Sequence, residues 1–156
     1  MEKITHIVFD HDGTLVGTTT MEPYLYDGIT EILDFLSKRQ VKLYVWTARS
    51  KDSTHAILTD LGIRSHFEAI CGGHDAQSKP SPDGIEMLVS PANPQNVIVI
   101  GDSLGDIIGG VSFGAHSIGA MWGHGDPNAA IAYEQRGAKA SFLKVEKLKD
   151  YLDKLI

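Results

Sequence analysis

Residues Ile7-Val8-Phe9-Asp10-His11-Asp12-Gly13-Thr14-Leu15 decide how this chain folds. Three apolar residues in a row, with no polar alternation, suit a strand buried on both faces of a parallel sheet. The run stops on two aspartates, residues a buried strand does not accommodate unpaired. Gly13 and Thr14 then allow a tight turn whose amide N–H groups are free to face an anion.

The same form recurs along the chain. Leu43-Tyr44-Val45-Trp46, Ala69-Ile70-Cys71, Val97-Ile98-Val99-Ile100 and Ser117-Ile118-Gly119-Ala120-Met121 are further apolar runs. Helical patterns lie between them. Ile29, Ile32, Leu33 and Leu36 follow the i, i+3, i+4, i+7 spacing, with Asp27 placed to cap. Ile57, Leu58 and Leu61 end at Gly62. Ser81 is expected as an N-cap with Pro82 at the first helical position, ahead of Ile85, Leu88 and Val89. Ile107, Ile108 and Val111 stop at Gly114, and Asp126-Pro127 opens a pattern that closes at Gly137. Val145, Leu148, Leu152 and Leu155 form a final amphipathic stripe. Such alternation predicts an α/β fold: a three-layer, Rossmann-like domain with a mostly parallel central sheet of about five strands and helices on both faces.

Composition narrows the function. The 156 residues include 14 Lys and Arg against 20 Asp and Glu, a formal net charge of −6. That balance argues against nucleic-acid duplex binding, which needs a basic face to displace counterions. One cysteine, Cys71, excludes an intrachain disulfide and a Cys-rich zinc site. The apolar stretch before Asp10 is too short for a signal-peptide core, and no run approaches the roughly 20 apolar residues of a membrane span. A cytoplasmic protein without a membrane partner is expected.

In an open parallel sheet, ligands bind beyond the carboxyl ends of the strands. Four sets of residues stand there. Asp10 and Asp12 follow the first run, and two carboxylates so close disfavour joint ionisation unless a cation lies between them. Magnesium suits such a place, because it takes hard oxygen ligands and keeps waters that a phosphate can replace. Thr47 and Ala48 follow the second run, where a hydroxyl and free amides can hold a phosphate oxygen. Lys79 precedes the helix after the third and supplies a point charge. Asp102 and Asp106 follow the fourth; if a helix begins near Ser103, they share one face of its first turn.

On Phe9-Asp10-His11-Asp12-Gly13-Thr14-Leu15, Trp46-Thr47-Ala48, Lys79-Pro80 and Gly101-Asp102-Ser103-Leu104-Gly105-Asp106, the chain resembles the haloacid dehalogenase-like (HAD) hydrolase superfamily, in particular its phosphoglycolate-phosphatase-like branch. The resemblance implies a magnesium-dependent phosphatase acting on a phosphate monoester. Asp10 would be the nucleophile that becomes an aspartyl-phosphate, and Asp12 the general acid and then base. Thr47, the amide of Ala48, and Lys79 would hold the transferring phosphoryl group. Magnesium would sit on the Asp10 carboxylate, the backbone carbonyl of Asp12 and Asp102, with Asp106 as ligand or supporting residue.

Relatives in that branch carry a helical cap between the first and second motifs. Here Asp12 and Thr47 are 35 positions apart and Thr47 and Lys79 are 32 apart. The expectation is a single core domain over residues 1–156 with no large cap, only a flap at about residues 16–26. An open site of that kind implies a phosphorylated macromolecule, or a small phosphorylated metabolite enclosed by a neighbouring subunit in a homo-oligomer. Arg49 is expected to face solvent, and His11 to point away from the metal. A receiver-like phospho-aspartate module, or a vestigial magnesium-binding interaction domain, is the alternative reading. Receivers, however, carry their phosphorylated aspartate after a later strand.

Overall fold

Strand β1 (His6–Phe9) runs through the middle of the sheet, between β4 (Lys42–Trp46) and β6 (Val97–Gly101). Ile7 lies opposite Leu43 on one side and Ile98 on the other, and Phe9 opposite Val45 and Ile100. Beyond β4 comes β5 (Ala69–Cys71); beyond β6 come β7 (His116–Ala120) and β8 (Ala140–Phe142). The order is β5-β4-β1-β6-β7-β8, and every pairing in this six-stranded sheet is parallel. These relationships come from a computed structural model that describes residues 3–124 and 126–156.

The sixth strand, β8, is an addition to the five expected. Ala140, Ser141 and Phe142 are each only partly buried, as befits an edge, so no apolar run announces them. The hairpin β2 (Val16–Gly17) and β3 (Tyr24–Leu25) is antiparallel and stands apart from the main sheet.

Side chains alternate across the sheet with the strand period of two. Ile7, Phe9, Leu43, Val45, Ile98 and Ile100 join one buried cluster with Leu33 and Leu36 of α1 (Ile29–Lys38), Leu58 of α2 (Lys51–Asp60) and Leu148 of α6 (Val145–Asp153). Val8, Tyr44, Trp46, Val97 and Val99 join another. It includes Ile85 and Val89 of α3 (Asp83–Val89) and has Phe113 of α4 (Leu104–Phe113) packed against it. Helix α5 (Pro127–Gln135) closes a smaller cluster, in which its Tyr133 meets Ile107 of α4 and Met121. Each fully buried aliphatic side chain contributes about 1.5–3 kcal/mol. The two large clusters therefore hold both faces of the sheet covered, leaving its strand ends as the accessible edge.

Three helix starts differ from expectation. Asp27 does not cap α1: Gly28 is the N-cap, left-handed at φ 88°, with no side-chain cap bond. Helix α3 begins one residue late, with Pro82 as N-cap, and Ser81 Oγ accepts only a 3.3 Å bond from the Asp83 N–H. Helix α4 begins at Leu104, so Asp102 lies outside it and does not share a helix face with Asp106. Instead Ser103 and Asp106 form a reciprocal capping box, which satisfies two otherwise orphaned N–H groups. Asp126-Pro127, by contrast, opens α5 where expected, and Asp126 caps it by accepting from the Asn128 N–H at 2.9 Å. Among the described residues, no helix is long and apolar enough to cross a membrane.

Candidate active site

The chain leaves β1 toward β4 and β5 on one side, then crosses to β6, β7 and β8 on the other. The order reverses between β1 and β6, which opens a crevice at their carboxyl ends. Asp10 follows β1 directly and continues the ladder through its N–H to the Ile100 carbonyl at 2.9 Å. Asp102 follows β6. Two aspartates distant in sequence thus arrive side by side, with Thr14 Oγ1 3.4 Å from Asp10 Oδ2 and 3.4 Å from Asp102 Oδ1.

Gly13 makes that approach possible. It is left-handed at φ +85°, and a Cβ built there would collide with the Asp102 carboxylate. Both the conformation and the space therefore require glycine.

Lys79 arrives from the loop ahead of α3. Its ammonium donates to Asp10 Oδ1 at 3.0 Å and to Asp106 Oδ1, and lies 4.5 Å from the centre of the Trp46 ring. Asp106 Oδ2 accepts from the Ser103 N–H at 3.2 Å and its hydroxyl at 2.8 Å. Asp106 is almost fully buried and occupied at both oxygens. Asp10, 8% exposed, still opens on the cleft.

Three carboxylates cluster about this one ammonium, which bonds two of them, and the electrostatics show it. Burial pushes the Asp10 carboxyl up to about 7; Lys79 opposes the shift and Asp102 adds to it. Burial likewise raises Asp106 to about 6, helped by Asp10 and opposed by Lys79 and Ser103. Asp102 is raised too, chiefly by burial. Burial alone would lower Lys79, but Asp106 and Asp10 outweigh it and keep the ammonium charged above its ordinary value.

One oxygen each of Asp10, Asp102 and Asp106 lies within 4.8 Å of the others. A buried cluster of hard oxygen donors with more negative charge than its single ammonium can balance fits a divalent cation such as magnesium.

On the opposite wall, Thr47 Oγ1 accepts from the Arg49 N–H at 3.1 Å, so its own O–H remains able to donate. The Ala48 N–H has no protein acceptor among the described residues. These groups, with Asp10, Asp12, Arg49, Lys79, Asp102 and Ser103, line an open cleft of about 620 Å³. All the residues singled out from the sequence meet here or, as with Asp106, directly beneath.

Arg49 does not simply face solvent. Its Nε donates to Asp12 Oδ1 at 3.0 Å and its Nη2 to Asp12 Oδ2 at 2.7 Å, across 37 positions of sequence. His11 is fully buried and turns back on its neighbour, Nδ1 to Asp12 Oδ1 at 2.7 Å. The Asp12 carboxyl feels burial, which would raise it, but the bonds from His11, Arg49 and Thr18 prevail and hold it well below the usual carboxylate range.

Sequence reasoning missed Tyr133, whose hydroxyl donates to the Asp102 carbonyl beside His124 Nε2. Its only signal was one aromatic in the alanine-rich run of α5. Trp122 supports the turn from below, its indole N–H donating to the Thr14 carbonyl at 2.8 Å.

The family model described as haloacid dehalogenase-like hydrolase matches residues 18–120, a stretch that holds Thr47, Ala48, Lys79, Asp102 and Asp106 and begins just after Asp10 and Asp12. The chain is 35% identical over 104 residues to a phosphoglycolate phosphatase of Agrobacterium fabrum, covering 65% of this chain and 45% of that one. It is 30% identical over 104 residues to the tyrosine-protein kinase PtkA of Mycobacterium tuberculosis, covering 65% and 36%. The chain thus spans less than half the length of these two relatives. A haloacid dehalogenase-like family hydrolase from Streptococcus pneumoniae superposes with a TM-score of 0.80 at 18% identity, over 96% of this chain and 98% of that one. With the family model covering about two thirds of its residues, the chain belongs to the haloacid dehalogenase-like hydrolase family.

Proposed function

We propose that this chain is a magnesium-dependent phosphatase that hydrolyses a phosphate monoester through an aspartyl-phosphate on Asp10. The observation that carries the reading is the Asp10 carboxylate itself. It stands at the switch point of the sheet, with one oxygen on Lys79 at 3.0 Å and the other 3.4 Å from the Thr14 hydroxyl. The names of the two relatives, a phosphatase and a kinase, both belong to phosphoryl transfer and support it. So does the position of Asp10 after the first strand, which differs from that of a receiver module.

Asp10 attacks phosphorus, forming an O–P bond as the ester O–P bond breaks, and Asp12 donates a proton to the departing oxygen. Asp12 then takes a proton from water as that water attacks the aspartyl-phosphate, releasing inorganic phosphate and restoring Asp10. Thr47 Oγ1, the Ala48 N–H and the Lys79 ammonium hold the equatorial phosphoryl oxygens. The Asp10 carboxylate, the Asp12 carbonyl and Asp102 would hold magnesium, with Asp106 keeping Lys79 in place. The ion supplies charge neutralisation, which lets an anionic aspartate meet an anionic phosphate.

We propose further that residues 1–156 act as one core domain with no large cap. Beyond the β2–β3 hairpin, the interval from Asp12 to Thr47 contains α1 and β4, and that from Thr47 to Lys79 contains α2 and β5. The substrate is a phosphorylated metabolite or macromolecule reached through the open cleft.

The test is hydrolysis of para-nitrophenyl phosphate in magnesium and in EDTA, by the wild-type chain and by Asp10→Asn. Turnover only with the metal, and its loss in the variant with an unchanged far-ultraviolet circular dichroism spectrum, is the expected result. Full turnover by Asp10→Asn removes Asp10 from the mechanism.

A further inference from the structure

Of the three clustered carboxylates, Asp102 is the one that Lys79 does not bond. Asp10 and Asp106 repel it, since one oxygen of each of the three lies within 4.8 Å of the others. Its own carboxylate meets the Thr14 hydroxyl at 3.4 Å and His124 Nε2 at 3.8 Å, both long contacts. The place of that carboxylate therefore depends on the backbone that carries it.

The backbone is held at both ends of one peptide plane. Asp102 lies between β6 and α4, and the first carbonyl of the α4 ladder is that of Ser103, bonded by the Ile107 N–H at 3.3 Å. Among the described residues, no backbone N–H reaches the carbonyl of Asp102. It accepts instead from the Tyr133 hydroxyl and from His124 Nε2, which fills both its lone pairs. The opposite end of the same planar unit is the Ser103 N–H, which donates to Asp106 Oδ2 at 3.2 Å. A turn of this plane would swing the Asp102 side chain away from Asp10. It would also draw the N–H off Asp106, whose other oxygen holds Lys79.

Tyr133 is the firmer of the two donors. Its ring is 5% exposed and packs with Ile107 and Met121. Gly119 on β7 leaves room for that ring, since a Cβ built there would stand 3.1 Å from its Cδ2. His124 is partly exposed, so water competes for its hydrogen bond. Helix α5 lines no part of the cleft, and it reaches the site through the Tyr133 hydroxyl.

We propose that Tyr133 is a positioning residue for the metal site: by holding the Asp102 carbonyl it fixes the Asp102–Ser103 peptide plane, and so aims the Asp102 carboxylate at the magnesium site beside Asp10. This inference rests on the magnesium site of the phosphatase reading above.

The experiment titrates magnesium, without substrate, into the wild-type chain, Tyr133→Phe, His124→Ala and Tyr151→Phe by isothermal titration calorimetry, with thermal melts in EDTA alongside. Tyr133→Phe keeps the packed ring and removes only the donor. It should bind magnesium at least about tenfold more weakly, the lower end of what losing a metal ligand's hydrogen-bond partner brings. Its melting temperature in EDTA should stay within about 4 °C of wild type, the scale of one hydrogen bond in a chain of this size. His124→Ala should weaken binding less. Tyr151→Phe, whose ring packs on Phe142 of β8, should bind as wild type does. Saturating magnesium should return the kcat of Tyr133→Phe on para-nitrophenyl phosphate toward the wild-type value, with KM unchanged.

An unchanged magnesium affinity in Tyr133→Phe overturns the proposal. So does an equal loss in Tyr151→Phe, which would mark general loosening, or a turnover defect that saturating magnesium leaves in place. Should Tyr133→Phe not fold, His124→Ala carries the same test on the same carbonyl, and an unchanged affinity there overturns the proposal. If the wild type binds magnesium but does not hydrolyse the ester, the phosphatase reading fails and the calorimetry still decides this inference. A wild type that binds no magnesium sinks both.

Discussion

Lys79 Nζ stands 3.0 Å from Asp10 Oδ1, a largely buried ion pair formed between residues 69 positions apart. The same ammonium also holds Asp106, so one cation keeps a carboxylate at the end of β1 and another in the first turn of α4 in a fixed relation.

Replacing that cation by an apolar residue of similar length isolates both carboxylates. Lys79→Met should cost about 3 kcal/mol of stability at pH 8, the usual consequence of stripping one partner from a buried pair. Urea unfolding measures it. The loss should shrink at pH 5, where Asp10 and Asp106 can take up protons. Turnover should fall at least about a hundredfold, as it does when a group that stabilises transition-state charge is removed.

The raised carboxyls fix the sign of the pH dependence. Asp10 titrates at about 7 and Asp106 at about 6 in the folded metal-free chain, against an ordinary value of 3.8 when unfolded. Between those limits the folded state binds more protons, so its stability falls as pH rises from about 4 to 7 and levels off above. Thermal melts in EDTA from pH 5 to 8 should show this decline, and a melting temperature that climbs across the range would contradict it. Magnesium must displace the Asp10 proton, so its affinity should strengthen up to about pH 7 and then flatten, as isothermal titration calorimetry would show.

Gly13→Ala tests the approach of the two aspartates. The left-handed backbone costs a non-glycine residue about 1–2 kcal/mol, and the added Cβ must push the Asp102 carboxylate aside. Magnesium affinity should drop at least about tenfold while the sheet stays folded, and an unchanged affinity would show that Asp102 does not hold the ion.

The layered fold was legible in the sequence because burial on both faces leaves only apolar residues in a central parallel strand. Runs such as Ile7-Val8-Phe9 and Val97-Ile98-Val99-Ile100 record that condition locally. Ala140-Ser141-Phe142 does not, because an edge strand is covered on fewer sides. Asp10, Asp12, Thr47, Ala48, Lys79, Asp102 and Asp106 could be singled out together because each follows a strand, or precedes a helix, at the same edge of the sheet. The capping role of Asp106 was half visible, since Ser103 and Asp106 have the spacing of a capping box.

By itself the sequence determined the alternation of strands and helices and the kinds of side chain that end on the active edge, since both follow from local periodicity and from where charge interrupts an apolar run. Pairing was decided only in the tertiary structure. That Lys79 binds Asp10 and Asp106, that Tyr133 holds the Asp102 carbonyl, and that Arg49 grips Asp12 depend on strand order and loop direction. Those bring together residues with no local relation, and a guanidinium goes to whichever carboxylate the fold sets within its reach.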